Sequence, residues 1–164
     1  MTCVKESWWF GQPRIVVAAR CALRLGENGQ HPQPKDTNMI DHLDHLVLTT
    51  HNAAACIGFY VDVLGMSLEQ FGEGRMAFKF GRQKINLHIR GAEFEPKAHL
   101  PVPGSLDLCF IASQPLADVI TRLQLHGVVI IEGPVLRTGA VSNIRSVYVR
   151  DPDLNLIEIS EPVT

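Results

Sequence analysis

Apolar residues alternate with other residues near position 43, and the spacing then becomes helical. Leu46 and Leu48 point to one side of residues 43–49 and His45 to the other, which predicts a strand with one buried face. Asn52 follows, and apolar residues then recur every three or four positions up to Gly65. Asparagine is a favoured helix N-cap and glycine a favoured C-cap, so the pattern predicts a strand followed by a helix.

The same order of elements recurs later in the chain. A shift of 62 residues places His45 on Asp107 and Gly65 on Gly127, and it predicts a strand at 106–112 and a helix at 115–126. After each helix, alternation predicts three more strands, at 66–71, 75–80 and 84–90 and again at 128–136, 143–149 and 155–159. Each half is therefore βαβββ. A unit of about 60 residues is too small to close a core alone, so we expect the two halves to pack together.

The repeat predicts an α+β fold of two βαβββ modules that form curved mixed sheets around a shared cavity. We place the domain at 39–164, with modules at 40–100 and 101–162. Residues 1–38 carry five basic and three acidic residues and end in a polar run rich in Gly and Pro, which predicts a weakly ordered tail. Two alternatives stay open: the arginines at 13–25 could form a mitochondrial presequence, or Met39 could be the true start.

Composition narrows the function only by exclusion. The 164 residues include 15 basic and 17 acidic ones, for a net charge of −2, which argues against nucleic-acid partners and anionic membranes. The chain has no run of eighteen apolar residues, so we expect no membrane span. Its four cysteines form no CxxC pair and are too few for a disulfide framework, which favours a reducing, cytoplasmic location.

Strand alternation predicts which polar side chains meet. His45 and Asp107 point away from the apolar faces of the first strand in each half, as do Asn86, His88 and Glu158 on the last strands. A pseudo-twofold relation between the halves would bring His45, Asp107, Asn86 and Glu158 to one cavity. An imidazole, two carboxylates and an amide oxygen are the ligand types of a divalent metal site.

Three motifs resemble the vicinal oxygen chelate superfamily, which includes glyoxalase I, fosfomycin-resistance thiol transferases, extradiol dioxygenases and bleomycin-binding proteins. They are LDHLVLT at 43–49, FYVDVLGM at 59–66 and DPDLNLIE at 151–158. Residues 83–88, 93–98 and 103–105 are similar to the glyoxalase domain-containing protein 5 subgroup. The resemblance covers about residues 40–162 and implies the glyoxalase-like fold.

The resemblance also implies a ligand set. His45 and Glu158 fall on the first and last ligand positions, and Asp107 falls where many members have histidine. Asn86 falls where glyoxalase I has glutamate, so we expect it to be structural. His88 could reach the metal in its place, giving two histidines and a carboxylate, or could serve as a substrate contact or general base. We therefore predict His45, Asp107 and Glu158 as metal ligands and Glu158 and His88 as catalytic residues.

The implied function is a metal-dependent glyoxalase-like enzyme that acts on a small oxygenated substrate, by lyase, isomerase or thiol-transfer chemistry. Dioxygenase chemistry is less expected, because the larger dioxygenases use four modules. The cofactor would be a divalent ion (Mn, Mg, Fe, Zn or Ni), and the oxygen-rich ligand set favours Mn²⁺, Mg²⁺ or Fe²⁺. The alternative is a metal-free binding protein of the bleomycin-resistance type.

We expect the protein to form a homodimer and to bind a small-molecule substrate. We expect no nucleic-acid or membrane partner. Whether the modules pair within one chain or across two stays open at this point. The loop at 91–104 is expected to determine the substrate. Arg75 and Arg145 are taken as equivalent positions of the repeat, and both are expected to be sheet-surface charges.

Overall fold

The computed structural model describes residues 39–163, in which eight strands form two four-stranded mixed sheets. In chain order the elements are β1 (His45–Thr50), α1 (Ala53–Ile57), a π-helical segment (Gly58–Val63), β2 (Ser67–Phe71), β3 (Arg75–Phe80), β4 (Gln83–Ile89), β5 (Asp107–Ile111), α2 (Leu116–Leu125), β6 (Glu132–Thr138), β7 (Asn143–Arg150) and β8 (Leu156–Pro162). The strand orders are β1-β4-β3-β2 and β5-β8-β7-β6. The α+β class and the βαβββ repeat are thus confirmed. The module boundaries stay predictions, and those about residues 1–38 lie outside the described residues.

The two sheets have the same strand topology and equivalent pairing. In each, the first strand runs parallel to the last, and the other pairs are antiparallel. The residue two positions after His45 lies beside Asn86, and the residue two positions after Asp107 lies beside Glu158. His45 therefore corresponds to Asp107 in the fold, and Asn86 to Glu158, as the repeat predicts.

The first helix differs from the prediction in its second half. Asn52 caps it as expected, since its Oδ1 accepts a hydrogen bond from the amide of Ala55 at 3.1 Å. From Gly58 the helix widens into π geometry, in which the amide of Leu64 reaches back five residues to the carbonyl of Phe59 at 3.0 Å. The wider turn changes which side chains face the sheet. The residues buried in this segment are Phe59, Tyr60 and Val63.

The strand predicted at 128–136 forms later, at Glu132–Thr138. Pro134 has no amide hydrogen to donate, and the pairing of β6 with β7 shifts register between Glu132 and Val135. Gly133 sits at this bulge with a φ of 110°. Its hydrogen faces the backbone of β7 so closely that a side chain would not fit. Residues 128–131 instead lead into the bulge without strand structure.

Both modules contribute to one hydrophobic core. The apolar faces of both sheets pack with the helices, and Phe80 of β3 meets Phe110 of β5 edge to face at 5.3 Å between ring centroids. The fully buried members with the largest side chains are Tyr60, Phe78, Leu48, Ile85, Leu116, Leu123 and Ile157. Because successive side chains of a strand point to opposite faces, the polar face of each sheet lies on the side away from this core. No helix within residues 39–163 is long and apolar enough to cross a membrane.

Candidate functional site

The outward side of each sheet carries the predicted site residues. On the first sheet these side chains form what we call the first polar face: His45, Val47, Thr49, Ser67, Glu69, Phe71, Arg75, Ala77, Lys79, Lys84, Asn86 and His88. On the second sheet they form the second polar face: Asp107, Cys109, Ile111, Val135, Arg137, Ile144, Ser146, Tyr148, Arg150, Leu156, Glu158 and Ser160. The definition follows from strand register and alternation. Exposed side chains such as His45 and Asp107 share these faces with buried ones such as Ala77 and Ser146.

His45 at the start of β1 is held by its own neighbour in the sequence. Its Nδ1 lies 2.6 Å from Oδ1 of Asp44, and about half of the imidazole is exposed. A carboxylate can only accept, so the neutral ring carries its hydrogen on Nδ1 and leaves the Nε2 lone pair free. The hydrogen bond from His45 also lowers the pKa of Asp44. A histidine fixed in this way has the form of a metal ligand with a supporting carboxylate.

Glu158 in the middle of β8 is kept ionised on the second polar face. Burial by itself raises the pKa of this carboxyl, but hydrogen-bonding groups of Ser146, Tyr148, Cys109 and Ser160 outweigh it and lower the pKa overall. Ser160 Oγ lies 3.4 Å from Glu158 Oε1. The carboxylate lines an open cleft of about 740 Å³ between β5, β7 and the β6–β7 hairpin. An ionised carboxylate in a cleft can hold a cation or accept a proton.

Asn86 and His88 share one face of β4, and both carry a buried polar atom with no partner. Asn86 Oδ1 and His88 Nδ1 make no hydrogen bond in the structure. His88 is only 8% exposed. Burial lowers the pKa of His88, and the nearby Arg75 lowers it further, although Glu93 opposes the shift. The imidazole is therefore neutral at pH 7, and both unpartnered atoms are available to a ligand.

A single chain does not gather the predicted ligands. Asp107 is exposed at the start of β5, on a different sheet from His45. Within the described range 39–163, no three His, Cys, Asp or Glu side chains lie close enough together to hold a metal ion. A second cleft, of about 840 Å³ between the modules, is lined mainly by apolar side chains and contains neither His45 nor Glu158. The roles of the predicted ligands stay predictions.

The sequence analysis did not identify two groups that neighbour the predicted site residues, Asp44 and Tyr148. Asp44 holds His45, and the adjacency of the two residues in the chain was a readable signal. Tyr148 stands beside Glu158, and its hydroxyl accepts a hydrogen bond from Arg137 Nε at 3.0 Å. Burial and the contact with Glu158 raise the pKa of Tyr148, although Arg137 acts in the opposite direction. Alternation along β7 would have placed Tyr148 on this face.

The sequence matches a family model and the sequence of a known relative. The family model described as Glyoxalase/Bleomycin resistance protein/Dioxygenase superfamily matches residues 42–159. The chain is 60% identical over 118 residues to Glyoxalase domain-containing protein RDO1 of Mycosarcoma maydis, covering 72% of this chain and 66% of that protein. It thus spans slightly less than two thirds of that relative.

Solved structures show the same fold. The crystal structure of Virulence protein STM3117 from Salmonella typhimurium shares 55% identity, with a TM-score of 0.75, and the match covers 76% of this chain and 99% of that one. Lactoylglutathione lyase from Agrobacterium tumefaciens is 24% identical, with a TM-score of 0.58 over 74% of this chain and 94% of that one. This second likeness concerns the fold alone.

Proposed function

Because the chain belongs to the glyoxalase/bleomycin resistance protein/dioxygenase superfamily, we propose that it is a metal-dependent enzyme acting on a small oxygenated substrate. The observation that carries the proposal is His45, whose Nδ1 is held by Asp44 so that Nε2 remains free to bind a cation. The ionised Glu158 occupies the other module's polar face. These are the two positions where the family resemblance expects the first and last ligands.

The proposal places each site between two copies of the chain. The first polar face of one copy would meet the second polar face of its partner, since the shared core keeps both faces turned outward in one chain. Val47 and Ile111, on the first and second face, are 41% and 58% exposed, and such a contact would cover them.

The residues present fit a divalent cation. His45 Nε2 and the carboxylates of Asp107 and Glu158 are nitrogen and oxygen donors, and two carboxylates balance a double positive charge. An oxygen-rich set favours Mn²⁺, Mg²⁺ or Fe²⁺ over Zn²⁺ or Ni²⁺. When bound, such an ion would hold two neighbouring substrate oxygens and stabilise negative charge that develops on them.

The chain's own side chains supply the proton chemistry. His88 is neutral because burial lowers its pKa, and its unpartnered Nδ1 can accept a proton from the substrate. Glu158 is ionised and can act as a second base. The raised pKa of Tyr148 keeps its phenol protonated beside Glu158, as a hydrogen-bond donor. This set suits lyase, isomerase or thiol-transfer reactions, which need proton removal next to an oxygen.

Elemental analysis of the purified full-length protein tests the proposal. We expect about one divalent ion per chain in the wild type and a loss of most of it in His45→Ala and Glu158→Ala. His42→Ala is the matched control, because His42 also bonds the preceding aspartate, Asp41, at 2.6 Å but precedes the sheet. Metal-free wild-type protein with intact fold after growth with each candidate ion would contradict the proposal.

One observation favours a second candidate function. Asn86 is neutral where a stronger ligand is expected, and a weaker site is compatible with a metal-free binding protein that sequesters a small molecule. That function predicts ligand binding that is unchanged by chelators and by His45→Ala. A chelator-sensitive affinity would rule it out.

A further inference from the structure

Arg75, at the start of β3, carries a charge that no neighbour neutralises. In the described part of the chain it makes no ion pair or hydrogen bond, and its guanidinium carbon lies 4.7 Å from the ring centre of Phe94. The nearby cation Lys79 differs, since it lies 4.0 Å from Glu69 on β2. An Arg that contacts an aromatic ring through its guanidinium still has N–H donors for a carboxylate.

The fold places Arg75 beside His88. The antiparallel register of β3 and β4 pairs Ala77 with Asn86. Arg75 lies two residues before Ala77 and His88 two residues after Asn86, so the two side chains share the same end of the first polar face. Both side chains contact the ring of Phe94, whose centre lies 5.7 Å from that of His88. Phe94 therefore lies against both side chains, which places a cation and an imidazole together at this end of the face.

Arg145 shows that this arrangement is specific to the first module. Arg75 lies two positions before the partner of Asn86, whereas Arg145 lies three positions before the partner of Glu158. The expected equivalence of the two arginines is thus wrong by one residue, and Arg145 points to the opposite face. There it is neutralised by Glu161, with its Nε 3.0 Å from Oε1. Only Arg75 of the two is an unpaired cation on a polar face.

The two buried polar atoms beside Arg75 indicate what else the ligand carries. Asn86 Oδ1 can only accept a hydrogen bond, and His88 Nδ1 is an acceptor when the neutral ring carries its hydrogen on Nε2. Buried acceptors without donors are costly, so a ligand that covers this end of the face should bring a hydroxyl hydrogen. A cation and adjoining acceptors match a carboxylate next to a hydroxyl.

The acidic residues of the adjacent loop do not occupy this cation. Glu93 is turned back to its own turn, where Oε1 accepts the amide of Gly91 at 3.0 Å. Glu95 pairs with Lys97 at 2.6 Å. Both carboxylates are therefore engaged, and Arg75 is left for a ligand.

We propose that Arg75, His88 and Asn86, beneath Phe94, form a subsite for a small 2-hydroxy carboxylic acid, or for a substrate that contains this group. Arg75 binds the carboxylate, and the hydroxyl donates to His88 or Asn86. The inference rests on the proposed function only in taking the first polar face as the substrate side. It adds the chemical class of the substrate, and it assigns a role in binding to Arg75 that the sequence did not suggest.

Three matched small molecules test the subsite in the full-length protein, treated with chelator so that no ion takes part. Lactate carries both groups, propionate lacks the hydroxyl, and lactamide lacks the charge. By titration followed with ligand-observed NMR, we expect lactate to bind about tenfold tighter than either analogue. Arg75→Gln should remove the preference for lactate over lactamide, and Lys79→Gln, the same change on the same strand face, should leave it intact.

The hydroxyl arm uses His88→Phe, which keeps a ring beside Phe94 and should reduce the preference for lactate over propionate. If that variant does not fold, Asn86→Ala tests the same arm. Equal binding of the three molecules, no binding of lactate, or an unchanged preference in Arg75→Gln overturns the subsite. These outcomes are independent of metal content. If His45→Ala loses metal but the wild type shows no preference for lactate, only the subsite is refuted. If the wild type prefers lactate but holds no metal, only the metal-dependent function is refuted.

Discussion

Tyr60→Phe should destabilise the protein by removing a single buried hydroxyl that links the two modules. The Tyr60 hydroxyl donates to Oδ2 of Asp151 at 3.0 Å, and the two residues are 0% and 3% exposed. Asp151 leads into β8, the strand of Glu158. Phenylalanine would keep the ring, which stacks on Phe78 at 4.9 Å between centroids. The perturbation therefore isolates one hydrogen bond between a module 1 helix and a module 2 turn.

The magnitude follows from what Asp151 loses. Its Oδ1 accepts the amides of Asp153 and Asn155 at 3.0 and 2.8 Å, and its Oδ2 accepts Asn155 Nδ2 at 2.8 Å as well as Tyr60. Removing Tyr60's hydroxyl takes away one of two bonds to a buried carboxylate oxygen. Hydrogen bonds to charged groups contribute about 1.5–3 kcal/mol. We expect the free energy of unfolding to fall by about 2 kcal/mol.

Urea unfolding of the full-length protein measures this change, with the denaturant slope expected to stay constant. The matched control is Tyr148→Phe, since Tyr148 loses the same atom on the outward face of β7, and we expect a cost of about 0.5 kcal/mol or less. A double-mutant cycle of Tyr60→Phe with Asp151→Asn should give a coupling of at least about 1 kcal/mol. If Tyr60→Phe unfolds like the wild type, the hydroxyl does not stabilise the carboxylate and the reasoning fails.

Three further predictions concern other parts of the fold. Gly133→Ala would force a methyl group against the backbone of β7. In urea unfolding it should lower the free energy of unfolding by about 1–3 kcal/mol more than Gly81→Ala, because Gly81 also has a positive φ but lies beside open space. Equal losses would contradict the close approach at the bulge. Because burial lowers the pKa of His88 below 6.5, the unfolded chain takes up the proton first, so stability should fall as the pH falls through about 6.5. His88→Gln should show a smaller fall between about pH 7.5 and 5.5, and an equal fall would refute this. Burial raises the pKa of Cys56 to about 12, so peptide mapping after alkylation at about pH 8 should find Cys56 unmodified in the native protein and modified after unfolding in urea. Labelled Cys56 in the native protein would show that its burial is wrong.

Local patterns were sufficient to predict most of the architecture. Alternation located seven of the eight strands to within a few residues, because each has one face in the core, and the Asn52 cap and the glycine-terminated helices follow from backbone chemistry. The late start of β6 was not predicted, since alternation does not reveal the bulge at Pro134. The change to π geometry at Gly58 was also missed, because helical spacing does not distinguish it from a continued α-helix.

The sequence predicted the strand positions of the candidate site residues but not how the modules arrange them in space. The repeat correctly made His45 equivalent to Asp107, and Asn86 equivalent to Glu158, because the members of each pair occupy the same register position in their own sheets. It could not show that the shared core turns the two polar faces outward, because that depends on how the modules pack. The face of Arg75 was also missed, since a single-residue error in a strand moves a side chain to the other side of the sheet.

Metal content of a mixed dimer tests most directly whether the site lies between two copies. His45→Ala and Glu158→Ala chains, each with a different affinity tag, are refolded together and purified through both tags. A site shared between copies leaves one complete ligand set per heterodimer, so we predict about one ion per heterodimer, against about two in the wild type and almost none in either parent. A heterodimer as empty as its parents, beside a metal-loaded wild type, would contradict a site formed between the copies.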